Sequence, residues 1–186
     1  MNCIARRSRR QFATSLALAG LMAAFCLCAT AQETRPSEYQ VKAAFLLNFG
    51  KFIEWPTNAF AGTNAPLVIG VFGNDPFHGD LEGVAAGQNI NGHPVIVRQI
   101  KALPDLKACH ILFIAASEKT RERELLKAVE GTGVLTVSET DDFIRAGGMI
   151  NFIIEDSQVH FQINNNAART AGLSISSKLI KLGRPG

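Results

Sequence analysis

Apolar positions recur along this chain in two rhythms, one near 3.6 residues and one of short uninterrupted runs. Over 38–53 the rhythm is helical. Val41, Phe45, Phe49 and Phe52 share one stripe, and Ala43, Leu46, Leu47 and Gly50 share another. Ser37 stands where a cap belongs, and Trp55-Pro56 ends the segment, because the residue before a proline is pushed out of the α region. The spacing therefore predicts a helix that is apolar nearly all round, one that is buried between layers or turns a face to a partner.

The second rhythm begins at 67–73, LVIGVFG, an unbroken run of the kind a strand buried on both faces of a parallel sheet requires. Asn74-Asp75-Pro76 then turns the chain into a short helix over about 77–86. Two stretches, 88–90 and 95–97, flank Asn91-Gly92, a tight-turn pair that predicts a small hairpin. Residues 103–107 lead into a second buried strand at 110–115. Ser117 is placed to cap a charged surface helix over 118–130, which Gly131-Thr132-Gly133 stops, and 134–137 reads as a third strand.

Past Asp141-Asp142 and the Gly147-Gly148 pair, 149–154 and 159–163 alternate around Glu155-Asp156-Ser157. They predict an antiparallel hairpin with Ile150, Phe152, Val159 and Phe161 on its buried side. Asn164 to Asn166 offer caps for a helix ending at Gly172, and a last helix covers about 176–182. Strands alternating with helices, then a closing hairpin, predict an α/β sandwich. Its central sheet is mainly parallel and flanked by helices, with the antiparallel hairpin at the C-terminal end. The domain spans 38–183, after a polar linker at 32–37 that carries Pro36, and 184–186 read as a tail.

The first 31 residues belong to a different class. Arg6, Arg7, Arg9 and Arg10 precede an apolar run from about Phe12 to Cys28 and the small-residue triplet Ala29-Thr30-Ala31, which is the layout of a cleaved signal peptide. The run is about 17 residues, short of the roughly 20 a membrane-spanning helix needs. Ser8-Arg9-Arg10-Gln11-Phe12 has the look of a twin-arginine export signal, and a Sec signal with extra arginines is the other reading. Neither Cys26, after Phe25, nor Cys28, after Leu27, has the small residue expected before a lipidated cysteine.

Cleavage after Ala31 changes the picture of charge. The whole chain carries +3, but the residues beyond the leader include 15 Lys and Arg against 16 Asp and Glu, a formal charge of −1. No basic stripe with interleaved aromatics remains, which speaks against nucleic acid as a partner. Cys109 is the one cysteine left, so no internal disulfide is expected, and a domain of this size is stabilised by its core.

The usual catalytic signatures are missing from the sequence. There is no GxxxxGK[ST], no GxGxxG after a strand and no GxSxG. His78, His93, His110 and His160 lack HxH or HxxxH spacing, and neighbouring Cys109 and His110 would point to opposite faces of a strand, so no metal or other cofactor is expected. A phosphorylated receiver domain needs an aspartate nucleophile with further acids at strand ends; Asp75 follows the first strand, but Ser117-Glu118 follows the second and no lysine closes the third. Asp141-Asp142 and Glu155-Asp156 sit in predicted turns, where acids serve solubility and backbone hydrogen bonding. Asn164 and Arg169, at a helix start and one turn in, could line a pocket for an anion or small ligand.

Several separated motifs resemble a known family. They are EYQVKAAFLLNFGKFIEWP at 38–56, GGMINF at 147–152, FQIN at 161–164, AAR at 167–169, AGL at 171–173 and SSKL at 176–179. In that order they are similar to the YfiR family of periplasmic proteins. The resemblance implies a non-catalytic regulator that restrains an inner-membrane diguanylate cyclase through its periplasmic sensory region, lowering cyclic di-GMP and biofilm formation. It also implies an outer-membrane lipoprotein able to sequester the inhibitor. YfiR itself uses disulfides, and here Cys109 has no partner after cleavage. Aromatic side chains dominate interface energetics, so Phe45, Phe49, Phe52 and Trp55 are the expected contact residues. The two-sided helix also suits a homodimer. The alternative is a periplasmic small-ligand sensor feeding a sensor kinase through Asn164 and Arg169.

Overall fold

Ser37 starts the first helix with a reciprocal cap. Its Oγ accepts the Gln40 N–H at 3.2 Å, and its own N–H donates to Gln40 Oε1 at 3.0 Å. The computed structural model describes residues 36–186, so the predicted leader and most of the linker lie outside the described residues. From this cap α1 (Glu38–Phe52) runs for 15 residues and buries Ala43, Leu46, Leu47, Phe49 and Gly50, together with Lys42. Strand β1 (Ile53–Glu54) follows directly.

The run 67–73 becomes β2 (Leu67–Phe72), buried at every position. It lies inside the sheet for a simple reason: with apolar side chains on both faces, it can only be covered on both. The chain then forms α2 (Asp80–Ala85), shorter than expected because 77–79 are held in a turn by the Asp75 carboxylate, which accepts the Phe77 N–H at 2.8 Å. The Asn91-Gly92 turn joins β3 (Asn89–Ile90) to β4 (His93–Ile100), both turn residues having positive φ. The predicted hairpin forms, Asn89 and Ile90 pairing antiparallel with Pro94 and His93, but its second strand belongs to something larger. The second strand is eight residues long and pairs in parallel with β2 over six of them. Its mixed burial hid a full member of the sheet.

A 3₁₀ segment, Leu103–Ala108, leads into β5 (Ile111–Ile114), parallel to β2 on its other side. The surface helix is also corrected. Ala116–Arg121 is 3₁₀, and α3 proper is Glu122–Ala128. Ser117 does not cap it, because its Oγ is taken by the Asn74 N–H at 2.9 Å, across the end of β2. Strands β6 (Leu135–Ser138) and β7 (Ile150–Glu155) extend the parallel ladder, and β7 turns back into β8 (Gln158–Ile163) as the predicted antiparallel hairpin.

Asn164 caps α4 (Asn165–Thr170), accepting the Ala167 N–H at 3.0 Å. The far end of this helix closes with Gly172 N–H to Arg169 O and Leu173 N–H to Ala168 O, the paired bonds of a Schellman motif. Strand β9 (Ser174–Ile175) pairs antiparallel with β1, and α5 (Ser177–Leu182) follows. Arg184–Pro185, expected as a tail, instead forms β10, parallel to β8, with the Gly186 N–H on Ile163 O at 3.1 Å.

The eight-stranded sheet has the order β10-β8-β7-β6-β5-β2-β4-β3, largely parallel as the sequence predicts. One face carries Leu67, Ile69, Val71, Ile111 and Phe113 beneath α1; the other packs Val68, Phe72, Leu112 and Ile114 against Leu106, Leu125 and Phe143. Strand order reverses at β2, between β4 and β5. The crevice at the carboxyl ends there is closed by the chain itself. Besides the Asn74–Ser117 bond, Gln99 Nε2 donates to Gly73 O at 2.8 Å, and a Cβ on Gly73 would lie 2.6 Å from Ser117 Oγ.

Candidate functional site

The four aromatic residues singled out at the end of α1 divide between two places. Phe45 and Phe49 lie one helical turn apart and pack on Phe152 and Phe161, which face each other across the β7–β8 ladder. Phe45 stacks on Phe49 at 6.1 Å, and all four rings interlock at centroid distances between 5.2 and 6.2 Å. Phe49 is completely enclosed, whereas Phe45 and Phe52 are half-buried against the same core. Strand β6 reaches only Ile150 and Asn151 of β7, so the rest of the hairpin continues as a two-stranded projection. On it Ile154 is 48% exposed, opposite the half-buried Val159.

At the other end of α1 lies a charged cluster. Lys42, 3% exposed, pairs with the Glu139 carboxylate at 2.6 Å and with Glu38 one turn back. Its ammonium sits 4.7 Å from the centre of the Tyr39 ring, and the Tyr39 hydroxyl donates to Glu139 at 3.3 Å. Burial works against the Lys42 charge, but the hydrogen bonds it donates to Glu139 and Glu38 outweigh it and hold the pKa above the ordinary lysine value. Burial and then the Glu139 charge push the Tyr39 phenol upward. This cluster ties α1 to the loop after β6.

Trp55 belongs to a third group, at the amino edge of the sheet. Phe60 is sandwiched between two imidazoles, His93 at 3.7 Å with planes 12° apart and His110 at 4.2 Å with planes 17° apart. Trp55 meets Phe60 and His110 edge-on at 6.2 and 6.1 Å. His110 Nδ1 accepts the Val68 N–H at 3.1 Å, so its proton sits on Nε2, which donates to Ala59 O at 3.2 Å. His93 Nδ1 donates to Ala65 O at 2.6 Å. Burial lowers the His110 pKa, His93 lowers it further, and the Ala59 carbonyl partly offsets both. Beside this group a cavity of about 250 Å³ is lined by Ile53, Glu54, Trp55, Phe60, Leu67, Ile90, Asn91 and His93. The indole N–H of Trp55 is buried without a partner.

Asn164 spends its side chain on the α4 cap, and Arg169 is exposed on the same helix. Neither lines this cavity or the second concavity, of about 580 Å³, between Lys119, Arg123 and Arg145. Cys109 is buried in the core on the sheet face away from α1, and burial pushes its thiol up to about 11. Among the described residues no group of three or more His, Cys, Asp or Glu is placed to hold a metal ion. No described helix is long and apolar enough to cross a membrane.

The family described as YfiR/HmsC-like matches residues 39–184, all but the ends of the described chain. This chain belongs to the YfiR/HmsC-like family. No curated protein sequence matches it. Among solved structures it is similar to a conserved domain protein from Vibrio cholerae O1 biovar El Tor, with a TM-score of 0.51 and 10% identity over 79% of this chain and 59% of that one. It is also similar to the ABC domain in complex with L-Trp from Streptococcus pneumonia, with a TM-score of 0.45 and 10% identity over 62% and 53%. The chain thus spans between half and three-fifths of the length of these structures, and the first likeness extends to the fold alone.

Within the YfiR/HmsC-like domain, sequence reasoning passed over Lys42, Glu139, Phe60, His93 and His110. The partners in these groups are separated by 17 to 97 residues, so no local spacing brings them together. One signal was available. Lys42 stands in a helix with apolar residues on every side, where a lysine is tolerated only if paired.

Proposed function

We propose that this protein is a non-catalytic periplasmic regulator that binds the periplasmic sensory region of an inner-membrane diguanylate cyclase and holds it inactive, lowering cyclic di-GMP and biofilm formation. The family match over residues 39–184 carries this reading, because it covers the domain from its first helix to its last strand. The physical requirement is modest. A hundredfold preference for the inactive conformation, about 2.7 kcal/mol, shifts the cyclase population by mass action without chemistry.

The contact surface in this reading is the outer end of the α1–hairpin stack. Half-buried Phe45 and Phe52, with half-buried Trp55 at the amino edge, supply aromatic anchors, and exposed Ile154 extends the apolar surface along the projecting hairpin. Phe49 contributes from beneath, by fixing the stack on which Phe45 sits. Export through the N-terminal signal peptide, a homodimer, and release by an outer-membrane lipoprotein complete the scheme.

The test is intracellular cyclic di-GMP in a strain deleted for the gene, beside its parent and a strain re-supplied with the exported protein. A rise on deletion, reversed by re-supply, is the expected result. Unchanged cyclic di-GMP, with the protein shown to be expressed and exported in the parent, overturns the proposal.

A further inference from the structure

The segment 55–66 joins β1 to β2 across the amino edge of the sheet, and it has two unusual properties. It contains no charged or titratable residue, and its internal backbone bonds are two turns, Ala59 N–H to Pro56 O and Ala65 N–H to Gly62 O. Trp55 and Phe60 pack against the core, and imidazole supplies the polar hold. His110 and His93 each take one of its carbonyls, at Ala59 and Ala65, and between them grip the ring of Phe60 on both faces.

The two histidines are not equivalent. His93 donates from Nδ1 to a carbonyl, an arrangement available to the neutral ring and to the cation alike. His110 uses both nitrogens in opposite senses, accepting from the Val68 N–H and donating to Ala59 O. Protonation at Nδ1 would set two N–H groups against each other at 3.1 Å and place a charge in a site that is 9% exposed.

We propose that His110 is an acid-sensitive latch: its neutral form holds segment 55–66 closed over the amino edge, and its protonation releases Ala59 and Phe60 and opens the cavity beside Trp55. Of the groups around it, the Ala59 carbonyl, which the protonated ring still meets through Nε2–H, opposes release, and burial outweighs it. From β4, the facing titratable group is His93, beyond the Phe60 ring, which adds like charge when it protonates. From β1, Glu54 lines the cavity beside His93 but is exposed. β2 and the segment itself bring no charge near the ring. Arg98 and Asp105 act on Cys109, which packs into the core on the opposite sheet face. The unpartnered Trp55 indole N–H is a further cost of the closed form, relieved when water reaches it.

The sign is fixed by linkage. A histidine whose pKa is lower closed than open stabilises the closed form above its open-state value, about 6.5, and that contribution is lost as pH falls through the closed-state value. The opening constant of the segment rises by about tenfold per pH unit between those two values. The latch is a property of this chain alone and stands whether or not the cyclase partner proposed above is correct.

The experiment follows hydrogen exchange of the purified protein from pH 8 to pH 4.5, corrected for intrinsic rate, together with NMR titration of the His110 ring. Expected are an Nε2–H tautomer at high pH and loss of protection confined to 55–66 and to the Val68 amide, whose acceptor is the His110 ring. The midpoint of that loss tracks His110, and β7 and β8 stay unchanged. His110→Gln keeps a donor and an acceptor and is expected to make the protection independent of pH. Loss of protection that persists unchanged in His110→Gln, or a segment that stays closed while His110 titrates, overturns the latch. Should His110→Gln not fold, the wild-type titration decides: one shared midpoint supports the proposal, and separate midpoints for ring and segment refute it.

Discussion

Glu139→Gln removes one charge and leaves its partner stranded. Lys42 is 3% exposed, and its two carboxylates differ sharply, Glu139 being 10% exposed and Glu38 46% exposed. Breaking a buried pair by removing one partner costs about 3–5 kcal/mol, whereas an exposed ion pair is worth about 0–1 kcal/mol. Because Glu38 remains to share the load, the lower end applies, about 3 kcal/mol for Glu139→Gln against about 0.5 kcal/mol for Glu38→Gln. In a domain of this size 1 kcal/mol moves Tm by about 2–4 °C, so the expected drops are roughly 6–12 °C and 1–2 °C. Adding Lys42→Met to Glu139→Gln removes the stranded charge and keeps the volume, and should return stability to within about 1 kcal/mol of the parent. Urea unfolding and calorimetry of the three variants measure all of this. Equal losses for the two glutamate variants, or a double variant worse than Glu139→Gln alone, would refute the assignment of Glu139 as the buried counter-charge.

Cys109, with its thiol raised to about 11 and 4% exposed, should react with iodoacetamide at pH 8 at least about 100-fold more slowly in the folded protein than in urea; comparable rates would mean that the strand end is open. Gly70→Ala puts a Cβ 2.3 Å from Cys109 Sγ and 2.9 Å from Ile100 Cγ1, and should cost about 1–3 kcal/mol in denaturant unfolding, a neutral result showing that this approach is not tight. Asn164→Ala removes the α4 cap and should cost about 1 kcal/mol, while Asn164→Asp keeps an acceptor and should cost less; equal losses would argue against the cap.

The sequence announced the elements whose pattern is local. β2 and β5 read as buried strands because every position is apolar, and the β7–β8 hairpin read from its alternation. Each of those signals is confined to one short stretch of chain. β4 reads as a fragment because its exposed Pro94, Arg98 and Gln99 dilute the apolar pattern, and only parallel pairing with β2 reveals its length. Ser117 looked like a cap because local spacing cannot show that a backbone N–H 43 residues earlier competes for its hydroxyl. β10 escaped notice for the same reason, since two residues have no periodicity until β8 lies beside them. The site followed this rule too. Aromatic residues on α1 were visible, but the hairpin phenylalanines they meet, the Lys42–Glu139 pair and the His93–Phe60–His110 sandwich exist only once the sheet has brought distant segments together.

The closed crevice at the carboxyl ends of β2 and β5 reverses a familiar polarity. In open α/β sheets that crevice is where loops part and ligands enter. Here Ser117 and Gln99 stitch its loops to one another, and the weakly tethered, uncharged span lies at the opposite end of the strands. Substitutions that loosen the stitched end should slacken the whole sheet. Those at the amino end act as on a hinged flap, changing what the molecule displays while its framework stays whole.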